Sequence, residues 1–187
     1  YLYAQRGSFV SATSTAFSAQ DITAPVYTST SIRLAGSVAT TNITGLRLSD
    51  RYAATFFGGN FELFDITSST RPISLGSTNV VSAIKDLAFQ GRYLYVLTEA
   101  TEMLYVYDLS TGVPIQVSSL SLPVFPQKIR VQGSYAYILT GSRLISVDIS
   151  NPIRTRIIGF RLTTGTATDF WINDRYAFVL ESGGGNF

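Results

Sequence analysis

Leu87-Ala88-Phe89-Gln90-Gly91-Arg92-Tyr93-Leu94-Tyr95 is the stretch on which the fold turns. An apolar-x-apolar strand runs into a polar turn, and a tyrosine then heads a second alternating strand. The same text stands at Leu46-Arg47-Leu48-Ser49-Asp50-Arg51-Tyr52, at Ile129-Arg130-Val131-Gln132-Gly133-Ser134-Tyr135 and at Phe170-Trp171-Ile172-Asn173-Asp174-Arg175-Tyr176. The four tyrosines lie 41, 42 and 41 residues apart. A fixed period of this size marks a repeat array, in which each unit buries the face its neighbour cannot cover alone.

Outward from that stretch, four strands are predicted in one period: Asp86–Gln90, Tyr93–Thr98, Met103–Leu109 and Ile115–Leu122. Gln90-Gly91-Arg92, Glu99–Glu102 and Ser110-Thr111-Gly112 with Pro114 punctuate them. No window shows sustained helical periodicity. Four short strands in about 40–45 residues is the signature of a propeller blade. The predicted fold is therefore all-β, a β-propeller with four-stranded antiparallel blades of about 41–44 residues. The blades fall at about 1–41, 42–84, 85–127 and 128–167, with an incomplete one at 168–187.

Tyr1-Leu2-Tyr3 reads as a second strand, and Tyr176–Glu181 as another, followed by Gly183-Gly184-Gly185-Asn186-Phe187. These ends favour a window on a larger propeller over a closed four-bladed ring. The missing initial Met likewise suggests a processed or truncated chain.

A second mark recurs where the third strand ends: Asp21-Ile22-Thr23, Asp65-Ile66-Thr67, Asp108-Leu109-Ser110 and Asp148-Ile149-Ser150, each followed by a proline (Pro25, Pro72, Pro114, Pro152). An Asp beside Ser or Thr can bond nearby backbone N–H groups and fix the turn. Proline presets the turn backbone where no ladder donor is needed. A structural role is expected for this column in preference to a ring of ligands. The tyrosine column is expected to pack between blades with its hydroxyls reaching a turn.

Composition narrows the chemistry. The 187 residues are 45% hydrophobic and 14% charged, enough for a sizeable core. With no His and no Cys, Ser-His-Asp and Cys-His catalysis cannot be assembled from this chain, nor can disulfides or the usual zinc sites. Ser82-Ala83-Ile84-Lys85 matches S-x-x-K but lacks its companion motifs. Glu99 and Glu102 read as a solvated turn. No catalytic residue, cofactor or metal site is assigned.

Charge is uneven although the net value is only +2. Lys128, Arg130, Arg143, Arg154, Arg156 and Arg161 stand against Asp148 alone between 128 and 161. They form the candidate interaction patch, suited to an anionic surface. The competing reading is edge protection, with Arg154 and Arg156 alternating on an outer strand. Nucleic acid is not expected from so small a net charge, and no apolar run is long enough for a transmembrane helix.

Leu144-Ile145-Ser146-Val147-Asp148-Ile149-Ser150-Asn151-Pro152 resembles the LVIVD repeat of bacterial surface and secreted β-propellers. Leu104–Ser110 and Phe61–Thr67 are looser copies, and Ala16–Pro25 is the most degraded. The resemblance implies an extracytoplasmic propeller and carries over no catalytic residue. A non-catalytic scaffold or protein-interaction module is the expected function, within a surface or membrane-associated assembly. The alternative is a ligand-binding or enzymatic propeller whose active residues lie in blades outside this chain.

Overall fold

The computed structural model describes residues 7–12, 16–23, 31–39 and 42–183. Tyr1-Leu2-Tyr3, Pro25 and residues 184–187 lie outside the described residues, as does the side chain of Asp21. Among the described residues every regular element is a strand, and every pairing described is antiparallel. Two compact units are distinguished, Tyr1–Thr78 and Asn79–Phe187.

In the first unit, β1 (Gly7–Ala12), β2 (Ala16–Thr23) and β3 (Ser31–Ala39) form a three-stranded meander. A four-stranded sheet follows, made of β4 (Gly45–Leu48), β5 (Tyr52–Phe57), β6 (Asn60–Asp65) and β7 (Ile73–Asn79). Gly45 is required here because a Cβ at that position would collide with the Phe56 ring.

The second unit repeats the plan. β8 (Ile84–Gln90), β9 (Tyr93–Thr98), β10 (Met103–Asp108) and β11 (Ile115–Ser121) make one sheet in sequential order. β12 (Pro126–Gln132), β13 (Tyr135–Thr140), β14 (Arg143–Asp148) and β15 (Arg156–Leu162) make the next. β16 (Thr166–Asn173) and β17 (Tyr176–Ser182) pair as a hairpin. The strands predicted between 86 and 122 match β8–β11 to within two residues at each end.

The first hairpins are tight. Gln90 faces Tyr93 across Gly91-Arg92, and Gly91 takes φ 56°, a left-handed conformation that costs glycine little. Gly133 repeats this at φ 58°, and Asp174 does so at φ 53°, which Asp tolerates better than most side chains.

Packing within the second unit is face to face. Tyr95, Leu97, Leu104 and Val106 of one sheet meet Ile129, Ala136, Ile138, Ile145 and Val147 of the next, all buried. Each such Leu or Ile contributes about 1.5–3 kcal/mol by leaving water. Beyond, Tyr137, Leu139 and Leu144 meet Ala167, Phe170, Ile172 and Val179 of the hairpin. Strand alternation explains the arrangement: one face of the β12–β15 sheet packs on β8–β11 and the other on the hairpin. β8, β12 and β16 lie along the convergent side, where first strands approach one another. β11 and β15 are terminal strands on the opposite, outer side.

Candidate interaction surface

The aspartate column closes turns. Asp65 accepts the Thr67 N–H at 2.9 Å, Asp108 that of Ser110 at 2.8 Å and Asp148 that of Ser150 at 3.0 Å. Each also meets a guanidinium: Arg51 on Asp65 and Arg92 on Asp108, both at 3.2 Å, and Arg156 on Asp148 at 3.0 Å. Ser134 stands where the other two sheets carry Arg51 and Arg92, so in the third sheet the cation comes instead from β15. Hydrogen bonds from Thr67, Ser110 and Ser150, ahead of the arginines, hold the three carboxyls below the usual range. Each carboxylate is thus engaged by its turn and by one arginine.

The tyrosine column departs from expectation in its later members. Tyr52 is buried, and Arg51 lies over its ring at 5.1 Å. Tyr93 carries Arg92 at 5.0 Å and accepts a hydrogen bond from it at 2.9 Å. Tyr135 and Tyr176, however, are 42% and 66% exposed. Ser134 stands beside Tyr135 where Arg51 and Arg92 lie over the earlier tyrosines, whereas Tyr176 heads a strand of the two-stranded hairpin and is exposed although Arg175 precedes it.

Along the convergent side the structure assembles a group that sequence reasoning missed. β8, β12 and β16 each bulge one residue before Asp86, Lys128 and Asp169. A bulge re-aims the side chain that follows it. Buried Asp86 accepts the Leu87 N–H at 2.9 Å and, across the sheet interface, the Ile129 N–H at 3.0 Å. Arg130 stands between two carboxylates, 3.5 Å from Asp86 and 3.8 Å from Asp169. Lys128 pairs with Asp169 at 2.9 Å and is the main cause of that carboxyl's lowered pKa. The only sequence signal was position: Gly45, Asp86, Lys128 and Asp169 share one place in the repeat. Four residue types at one place gave no motif to recognise.

The six cations of the sequence patch are thereby divided. Lys128 and Arg130 belong to the convergent side, and the Arg130 guanidinium also lies 5.8 Å from the Phe170 ring and 5.9 Å from that of Trp171. Arg143, at the start of β14, covers the Phe160 ring at 4.9 Å. Arg156 opens β15 and is held by Asp148. Arg154 sits in the turn ahead of that strand, so it does not alternate with Arg156 along it. Arg161 lies on β15 itself. Among the described residues, the Arg154 and Arg161 guanidiniums meet no carboxylate.

β15 differs from its counterparts in what it exposes. Ile157, Phe160 and Leu162 are 37%, 54% and 69% exposed. They pair with Val147, Ile145 and Arg143 and so share one face of the sheet. On β11 the same places hold Gln116, Ser119 and Ser121, and counting from the turn aspartate on β7 gives Ser74, Ser77 and Asn79, all exposed. Two outer strands are therefore polar at these places and one is apolar.

Other features have bland explanations. Ser82 accepts the Ala100 N–H at 3.2 Å and Lys85 pairs with Glu99 at 2.8 Å, so the S-x-x-K residues serve a turn and a bulge. A cleft of about 410 Å³ is lined by Arg130, Asp169, Trp171, Phe178 and Leu180. Phe178 and Leu180 occupy the repeat places of Tyr95 and Leu97, and of Tyr137 and Leu139, which pack against a following sheet. Their exposure is that of a blade face.

The LVIVD repeat family matches residues 126–158, which span β12 to the start of β15. No curated protein matches the chain. Among solved structures, a Lactobacillus plantarum protein superposes with a TM-score of 0.70 at 13% identity, over 89% of this chain and 58% of its own. A Bacteroides uniformis protein provisionally assigned as a 6-phosphogluconolactonase gives 0.70 at 13% identity, over 87% of this chain and 57% of its own. The computationally designed Ika4 protein gives 0.61 at 15%, over 76% of this chain and 87% of its own. This chain thus spans little more than half the length of the two natural proteins. At these identities the likeness concerns the fold. The chain is a β-propeller protein that carries an LVIVD repeat.

Proposed function

We propose that this chain is a non-catalytic scaffold that acts outside the cytoplasm and holds a protein partner at the outer side of the β12–β15 blade. The observation that carries this reading is the apolar recoding of β15. Ile157, Phe160 and Leu162 stand exposed where β7 and β11 present Ser, Gln and Asn. Exposed apolar groups beside unspent cations favour association with another protein. Asp65, Asp108 and Asp148 are bound into turns and Asp86 into an inter-sheet bond. The LVIVD match supports an extracytoplasmic setting, in which a larger surface assembly would supply the partner.

Charge reversal at Arg154 and Arg161 tests the reading without touching the Arg156–Asp148 pair. Affinity enrichment from an extracytoplasmic fraction should lose its specific partner with R154E/R161E and keep it with the wild type. Equal recovery by both would overturn the interaction reading. Turnover of 6-phosphogluconolactone by the chain would overturn its non-catalytic part.

A further inference from the structure

We propose that β15 is a strand-addition site whose partner segment is extended and carries apolar, acidic and apolar side chains at three successive positions. The proposal rests on the interaction reading above and specifies its chemistry. β15 is the terminal strand of its sheet, so alternate N–H and C=O groups along it point away from β14. Pairing skips Ile158, where the strand bulges, which confines a regular ladder to Gly159–Leu162.

Within that segment the two faces differ. Phe160 and Leu162 lie on the face of Ile145 and Arg143, whereas Arg161 lies opposite them, on the face of Leu144. A strand laid along β15 would set its own residues directly beside these three, each on the matching face. Apolar side chains beside Phe160 and Leu162 would cover surface that is 54% and 69% exposed. A carboxylate beside Arg161 would answer a guanidinium that no described acidic group meets. Main-chain bonds supply affinity in this binding mode, and alternate side chains supply specificity.

Charge complementarity selects an acidic segment. The blade carries Arg154, Arg156 and Arg161 near its outer strand against the single carboxylate of Asp148, which Arg156 already occupies. β11 offers the same backbone edge, but Ser119 and Ser121 give an added strand nothing apolar to cover.

The probe is a fluorescein-labelled seven-residue peptide with a central Val-Glu-Val, titrated against the whole chain by anisotropy. Saturable binding is expected, weakened at least tenfold when alternate amides of the probe are N-methylated. R161E should weaken it at least fivefold and reverse the preference in favour of a Val-Lys-Val probe. Equal binding of the N-methylated probe would overturn strand addition, and an unchanged preference in R161E would overturn the acidic match. A partner captured through Arg154 and Arg161 by a chain that ignores the probe would overturn strand addition alone and leave the interaction reading standing. Self-association of the chain, seen as a doubled native mass that F160S abolishes, would also overturn it.

Discussion

β11 and β15 hold the same place in adjoining blades, each antiparallel to the third strand of its own blade, yet at three equivalent places they face water with opposite chemistry. Gln116, Ser119 and Ser121 on one correspond to Ile157, Phe160 and Leu162 on the other. The middle strands keep their apolar places: Tyr95, Leu97 and Leu104 of β9 and β10 recur as Tyr137, Leu139 and Leu144 of β13 and β14. Blade faces are held to type by the sheet packed on them, because losing methylenes there costs both transfer energy and a cavity. An outer strand is covered only in part, on β11 at Val117 and Leu120, and its exposed places are free to change. The comparison places architecture on the faces and individuality on the outer strand.

The largest expected effect breaks the architectural half. Ile138→Ala removes a fully buried side chain from the interface between the two four-stranded sheets. It should lower stability by about 2–5 kcal/mol in urea denaturation. A loss below about 1 kcal/mol would mean that the two sheets do not rely on each other.

Asp86→Ala should come next. It strands the Ile129 N–H and removes the carboxylate nearest Arg130, at an expected cost of about 1–3 kcal/mol. Hydrogen exchange at Ile129 should rise with it, and an unchanged rate would show that the inter-sheet bond is dispensable.

A smaller effect concerns acid. The folded-state pKa values of Asp65, Asp108 and Asp148 lie below their unfolded values, so their stabilisation is complete above about pH 4 and fades as pH falls through the depressed values. D108N/D148N should therefore show a shallower drop in melting temperature between pH 5 and pH 2 than the wild type. Parallel curves would remove the turn aspartates from the acid response. Recoding β15 should leave this limb unaltered, since its apolar residues do not titrate.

Much of the architecture was legible. Periodic Leu-Ala-Phe and Tyr-Leu-Tyr text, with Gly91 in the turn, specifies alternating strands and a tight hairpin by local chemistry alone. The Asp-Ile-Ser mark likewise read through to its turn, because the side chain bonds a backbone N–H only two residues away. The group of Asp86, Lys128, Arg130 and Asp169 was not legible, since it depends on three bulges and on contacts across some 40 residues. The six-residue basic patch was read as one surface. Spatially it separates, because strand order carries Lys128 and Arg130 to one side of the sheet and Arg156 and Arg161 to the other. Arg156 also looked like edge protection, whereas its guanidinium closes a turn on Asp148 and the apolar residues that follow it remain open.

Writing the β11 sequence into β15 tests the contrast most directly, as I157Q/F160S/L162S with the affinity for the Val-Glu-Val probe as the readout. At least tenfold weaker binding is expected, with the strand content of the wild type retained by circular dichroism. Undiminished affinity in the recoded chain would contradict the assignment of β15 as the strand that sets this blade apart.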